Sequence, residues 1–345
     1  MTLPYRTRQT LRNLGIAGLI LLLFALAIWL VWLLWLDRFV VYTRDGARLD
    51  FSQSVEQLSG EVAVPPEQDA TVSIYYNEGD NALNIGAELV QLKGYYIDTA
   101  MLQEDISGVL SIVKKLPAQT PVLIDMKDIQ GRFCYTTSLG VVHSKIDAAV
   151  MEELVKYLTG SDLYVIARIP AFRDFYYFDG DKNLDNGLVS TKGAYLYRDP
   201  DSCYWLDPSK EGTMTYLMQI MSELKTKGFN EVLFSDFSIP SSENVRFKKD
   251  KAETLATAAK SLLAAGSGDR FAVSFQAEAP GAFTLPEGRT RLYLAGVAAG
   301  DAKAMADQSG LGDTAINLVF LTDVNDTRFD TYGVLRPITI AQMEQ

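Results

Sequence analysis

Short apolar runs alternate with helically spaced apolar residues along the chain from Leu92 to Pro240. Four of the runs, "GYYID", "VLID", "VIAR" and "VLFSD", finish on Asp98, Asp125, Arg168 and Asp236. Runs of this length read as buried strands, and the spacing between them reads as amphipathic helix. Ile106, Val109, Leu110 and Val113 mark the first helix. Ile146, Val150, Leu154 and Leu158 mark the second behind a Ser144 cap, and Leu217, Ile220, Met221 and Leu224 mark the third, closed by Gly228. Leu255, Ala258 and Leu262 mark a fourth. The order β-α-β-α-β-α-β predicts a parallel sheet, where catalytic groups gather at the C-terminal strand ends. The strand-end charges are therefore the first functional lead. The plain alternative is that a polar residue marks where a buried strand surfaces.

Further strands fit Phe271–Phe275, Arg291–Ala295 and Ile316–Leu321, which makes seven counted from Gly94. Only 24 residues follow Leu321, too few for another helix and strand. The eighth position falls to Tyr332–Ile340, to Thr71–Tyr76, or to nothing. The expected fold is a (β/α)8-like TIM barrel over residues 91–345, incomplete or irregular in its last third. Its longest loop, Pro170–Gly212, is dense in aromatic residues such as Tyr177 and Trp205. Aromatic faces suit stacking on sugar rings, and they equally suit packing the loop onto the barrel.

The N-terminus has a different pattern. Residues 1–13 carry Arg6, Arg8 and Arg12 and no acid, and Leu14–Leu36 carries no charge at all. A helix of that length spans a hydrocarbon core of about 30 Å. Residues 14–36 are thus expected to be a transmembrane signal anchor, with 1–13 a cytoplasmic tail and the remainder outside the cell membrane. Residues 37–90 are expected to form a hairpin around Asp45-Gly46 followed by a polar linker with Pro65-Pro66.

Charge narrows the partners. The chain has 43 acidic and 32 basic residues, a net charge of −11. Every acid lies beyond Leu36, so the outer part is more acidic still. That argues against nucleic acid, whose phosphates need a basic patch, and leaves neutral polymers and small solutes. One histidine, His143, and two cysteines, Cys134 and Cys203, give no metal-ligand spacing. No cofactor motif occurs either, since "AGVAAGDA" fits no phosphate-loop fingerprint and G-x-S-x-G is absent. A disulfide between the cysteines and two free thiols both remain open.

The segments "LKGYYIDTAML", "VLIDMKDIQGRFCYTTS", "YVIARIPAFRD", "CYWLDPSKEG" and "NEVLFSDFSIP" occur in that order. They resemble the glycoside-hydrolase-like TIM-barrel family of bacterial surface proteins, a domain of unknown function (DUF4015), often membrane-anchored or secreted. The resemblance covers residues 92–240. It carries the family's polar positions onto Asp125, Lys127, Asp128, Arg168, Asp174, Trp205, Asp207 and Asp236. One departure stands out: where the family reads Asp-Tyr-x-Arg, this chain has Asp236-Phe237-Ser238-Ile239. The resemblance implies a glycoside-hydrolase-like TIM barrel, the fold more firmly than the activity.

Glycosidic cleavage needs two carboxyl groups, one protonated as the acid and one acting as nucleophile or base. Asp236 is the expected nucleophile or base, with Asp125 beside it and Glu278 or Asp323 as later-strand acids. Arg168, Asp128, Lys127, Asp174, Trp205, Asp207 and Tyr177 are the expected substrate contacts. Asp125 and Lys127, two apart on a strand, can instead form an ion pair that closes the barrel. Asp128 can be a turn residue before Gly131. An arginine ending an apolar strand needs a carboxylate partner, so Arg168 is expected to meet Asp125, Asp236 or a ligand. Two functions remain open: a membrane-anchored glycoside hydrolase acting on envelope or environmental polysaccharide, or a catalytically degenerate barrel that binds glycan or an envelope partner.

Overall fold

A computed structural model describes residues 40–43, 46–49 and 89–338, apart from 267 and 269. The chain divides into two compact units, residues 1–77 and 78–345. Within the first, β1 (Val40–Thr43) and β2 (Gly46–Leu49) pair antiparallel, with Thr43 opposite Gly46. The apolar segment 14–36 and the strand expected at Thr71–Tyr76 lie outside the described residues. Among the described residues no helix is long and apolar enough to cross a membrane.

The second unit holds a closed parallel barrel with helices around it. Its strands are β3 (Lys93–Ile97), β4 (Pro121–Asp125), β5 (Tyr164–Pro170), β7 (Glu231–Ser235), β9 (Ala272–Gln276), β10 (Leu292–Ala295), β11 (Leu318–Leu321) and β12 (Gly333–Pro337). β12 fills the eighth position by pairing with both β11 and β3, so the last third completes the barrel. Two short strands outside it, β6 (Val189–Ser190) and β8 (Val245–Arg246), pair antiparallel. The helices are α1 (Thr99–Val113), α2 (Ala148–Gly160), α3 (Glu211–Thr226), α4 (Lys251–Gly266), α5 (Ala302–Gln308) and α6 (Thr314–Asn317).

Strand alternation divides the apolar residues into two sets. Leu123, Ile166, Leu233, Tyr293, Val319 and Leu335 fill the barrel interior. Val122, Ile124, Val165, Ala167, Val232 and Phe234 face outward beneath the helices, whose buried stripes include Leu102, Leu154 and Leu217. Gly94 permits the β3–β4 approach, since a Cβ there would lie 2.0 Å from the Pro121 carbonyl oxygen.

Two local expectations change. The second helix is capped by Asp147, not Ser144, because the Asp147 carboxylate accepts from the Ala149 and Val150 amides at 2.9 and 3.1 Å. Residue 316 belongs to a helical turn capped by Asp313, so β11 begins only at Leu318.

At the N-terminal end of the barrel, inward-facing Glu231 and Arg291 form an ion pair with no solvent exposure. The Glu231 carboxylate also accepts from the Tyr164 and Tyr293 hydroxyls, each at 2.8 Å. Arg291 donates to the Val90 and Ile316 carbonyls. This plug closes the end opposite the βα loops.

Candidate functional site

The inward positions of each strand set the site. On β4 they are Pro121, Leu123 and Asp125, and on β5 they are Tyr164, Ile166, Arg168 and Pro170. Asp125 and Arg168 are direct neighbours in the ladder, so their side chains meet in the top layer. Arg168 donates from Nε to Asp125 Oδ1 at 2.5 Å and from Nη2 to Oδ2 at 3.0 Å. The same Oδ2 accepts from the Thr99 amide at 2.8 Å and the Thr99 hydroxyl at 3.0 Å. Asp125 thus accepts four bonds, one on Oδ1 and three on Oδ2, so both of its oxygens are engaged. Burial would push the Arg168 pKa down, but the Asp125 charge and hydrogen bonds outweigh it and raise it. Among the described residues, Arg168 Nη1 has no partner.

These two residues stand in a cleft of about 520 Å³ that also receives Asp98, Asp128, Asp236 and Gln276. Asp98 caps α1, its Oδ1 accepting from the Met101 amide at 2.9 Å. Its Oδ2 accepts no bond among the described residues. Asp128 makes the tight turn before Gly131: Oδ1 accepts from the Gln130 and Arg132 amides and Oδ2 from Arg132 Nε at 2.7 Å. Gln276 Oε1 is buried with no hydrogen-bond partner among the described residues.

Asp236 differs from the other three acids. Its φ is +47°, a left-handed backbone that costs a side-chain-bearing residue of order 1–3 kcal/mol. The inward positions of β7 are Glu231, Leu233 and Ser235, so strict alternation would turn Asp236 away from the mouth. The left-handed step breaks that alternation, and Ser235 and Asp236 both line the cleft. Phe237 then resumes outward packing on Phe172, Phe275 and Phe283 at ring separations of 4.9, 4.7 and 5.2 Å. A tyrosine at 237 would carry its hydroxyl into that ring cluster, which rationalises the phenylalanine. The Asp236 carboxylate makes only loose contacts, with Ser235 Oγ at 3.4 Å and Arg173 Nη1 at 3.9 Å. Burial raises its pKa, against the opposing pull of Arg173.

Arg173 is a residue that the motif reading passed over. It pairs with Asp199 at 2.7 Å and with Asp201, and it reaches toward Asp236. Burial opposes the Asp199 charge, but bonds from the Cys203 amide, the Trp205 indole and Arg173 hold its pKa below the usual carboxylate range.

The other expected contacts fall elsewhere. Lys127 lies beyond β4 and pairs with Asp174 at 2.6 Å, both side chains fully buried, so the expected Asp125–Lys127 pair does not form. Gly131, with φ +96°, makes room for Asp174: a Cβ there would sit 1.7 Å from Oδ1. Tyr216 donates to Asp174 at 3.1 Å, and the Lys127 ammonium lies 5.0 Å from the Tyr216 ring. Trp205 is buried and donates to Asp199 at 3.0 Å. Tyr177 stacks on Tyr216 at 4.5 Å and lines a separate cavity. Asp207 accepts from the Ser209 amide in a turn. Glu278 and Asp323 are exposed and outside the cleft lining; the β9 residue that enters it is Gln276. None of the long-loop aromatics lines this cleft.

Both cysteines are free and buried. Burial pushes the Cys203 thiol up to about 11, and the Cys134 thiol higher still. No group of histidine, cysteine or carboxylate side chains suited to a metal ion occurs among the described residues.

Residues 94–269 match the family model described as "Putative glycosyl hydrolase domain", DUF4015, over just more than half of the chain, and the chain belongs to that family. Solved structures resemble it distantly. A hypothetical protein from Ruminiclostridium thermocellum is 21% identical over 52% of this chain and 96% of its own, with a TM-score of 0.44. Ega3 of Aspergillus fumigatus, in complex with galactosamine, is 10% identical over 73% of this chain and 93% of its own, with a TM-score of 0.44. An inactive mutant of the GH20 exo-β-N-acetylglucosaminidase of Vibrio harveyi is 10% identical over 72% and 50%, with a TM-score of 0.47. A search of curated proteins finds no match.

Proposed function

We propose that the chain is a glycoside hydrolase working at the mouth of its barrel, with Asp236 as general acid. The observation that carries this reading is the state of Asp236: loosely bonded, in the cleft, on a left-handed backbone, with its pKa raised by burial. A carboxyl whose pKa burial raises holds its proton to higher pH than a free one, the direction a general acid needs to protonate a leaving glycosidic oxygen. Membership of a glycosyl hydrolase family supports the same chemistry. Asp98, three strand positions away across β4 and β5, is then the base or nucleophile, because it is the other cleft carboxylate with an unused oxygen. Asp125, with both oxygens engaged by Arg168 and Thr99, aims Arg168. Arg168 Nη1 and Gln276 Oε1 are left to hold sugar hydroxyls.

Leaving-group dependence tests the assignment. Asp236→Asn should slow hydrolysis of alkyl and oligosaccharide glycosides by about 10²–10⁴-fold. A dinitrophenyl glycoside, whose leaving group needs no proton, should lose far less. Equal loss on both substrates removes Asp236 from the acid role. The engagement of Asp125 favours a second reading, a barrel that binds glycan without cleaving it. Glycan retention that survives Asp98→Asn and Asp236→Asn, with no turnover by the unaltered chain, would establish that reading.

The uncharged segment 14–36, preceded by three arginines, supports a further proposal: the barrel is held outside the cytoplasm by a membrane anchor. Protease treatment of intact cells should digest the barrel and spare the N-terminal tag of a tagged chain.

A further inference from the structure

The loop after β5 builds a second concavity, of about 790 Å³, that the chemistry above does not use. Its walls are pinned by backbone. Gly187 bridges Leu206, Val189 bridges Leu196, Arg198 bridges Tyr204, and β6 pairs with β8 from the loop after β7. Leu188 and Leu206 are buried in the same hairpin, so the groove is formed before any ligand arrives. Four cations line it, Lys192, Arg198, Lys210 and Arg246, against two carboxylates, Asp185 and Asp207. None of the four makes an ion pair among the described residues, and the Lys192 and Lys210 ammonium groups have no hydrogen-bond partner there. The chain as a whole carries −11, so a cationic groove runs against its background. Tyr195, 58% exposed, lines the same groove and supplies a flat ring.

We propose that this groove binds an acidic polysaccharide, its carboxylates meeting the unpaired cations and a sugar face lying on Tyr195. Charge-assisted contacts to carboxylate and an exposed aromatic platform together define an acidic glycan; either alone would not. The same loop carries Arg173, whose Nη1 lies 3.9 Å from Asp236 Oδ1. The inference concerns binding only and stands whether or not the cleft hydrolyses anything.

The test is affinity electrophoresis and calorimetry of the full chain in detergent. The probes are polygalacturonate, neutral dextran and polyglutamate, at about 50 mM salt so that screening stays modest. Polygalacturonate should retard the chain, while dextran and polyglutamate should not. Lys192→Ala/Lys210→Ala and, separately, Tyr195→Ala should each weaken polygalacturonate binding about tenfold or more, with an unchanged unfolding midpoint. Retardation by polyglutamate equal to that by polygalacturonate would overturn a glycan site, as would dextran binding of equal strength. Undiminished binding by either variant would overturn the groove as its location.

Discussion

Asp236 shows how one backbone angle can decide what a side chain does. With φ at +47°, it escapes the alternation of β7 and enters the cleft, while Phe237 keeps its place among the rings. Burial raises its folded-state pKa above the unfolded value, so the folded chain holds that proton more tightly. Its contribution to stability is therefore full below the unfolded pKa near 3.9 and is lost as pH rises through the folded value. Asn has no proton to lose and tolerates the left-handed region well. Asp236→Asn should raise the thermal midpoint at pH 7, and the ionisation part of that gain should vanish below about pH 3.9. In activity, the alkaline limb set by this acid should fall as pH rises through its pKa and disappear in the variant. A midpoint that drops at pH 7 would mean that the Asp236 charge is stabilising. Asp125 should behave in the opposite way. Asp125→Asn leaves a largely buried guanidinium without its counter-charge, a loss of about 2–4 kcal/mol in urea unfolding once the 20% exposure of Arg168 is allowed for. An unchanged urea midpoint would show that the pair is not a strut.

At the scale of elements, the period of the apolar residues revealed seven strands and four helices to within a few residues, because burial imposes that period directly. Side-chain partnerships were less legible. Asp125 and Lys127 share a face only if the strand continues; β4 ends at Asp125, and the loop carries Lys127 to Asp174. Which acid meets Arg168 depends on the β4–β5 register, and spacing along one strand does not encode a register between two. Asp98 stood among the strand-end charges, but neither its capping of α1 through one oxygen nor the free second oxygen at the mouth was legible from spacing. The aromatics of the long loop carried no sign of whether they would face sugar or protein. The plug at the other end of the barrel was not anticipated at all, since Glu231 and Arg291 lie 60 residues apart at the starts of their strands. It gives a prediction of its own. Glu231→Gln leaves Arg291 buried and unpaired and should cost about 3–5 kcal/mol, measured by denaturant unfolding. Replacing both, as Glu231→Leu/Arg291→Met, should cost less than the single change. A double variant that loses the sum of both single changes would show no coupling between the two side chains and overturn the pairing as the cause of the cost.

At the scale of the molecule, the region that defines the family and the region that folds are not the same. The family match runs from 94 to 269 and contains β4, β5 and β7 with nearly all of β3, but β9 starts at Ala272. Closure requires the other four strands. β12 reaches across to β3, where the Val334 amide donates to the Leu92 carbonyl at 2.7 Å, and β10 joins β9. A fragment of residues 94–269 would expose two parallel edges, on β3 and β7, each a row of unpaired amides and carbonyls. It would also uncover the inner faces of Leu123, Ile166 and Leu233, which the closed barrel buries completely. It would keep Glu231 while losing Arg291, Tyr293 and the rest of the plug. The fragment should therefore aggregate or show no cooperative unfolding, whereas residues 89–338 should unfold in one transition. Circular dichroism during urea titration of both separates the outcomes. A cooperative transition in the fragment would show that half of the barrel is a folding unit.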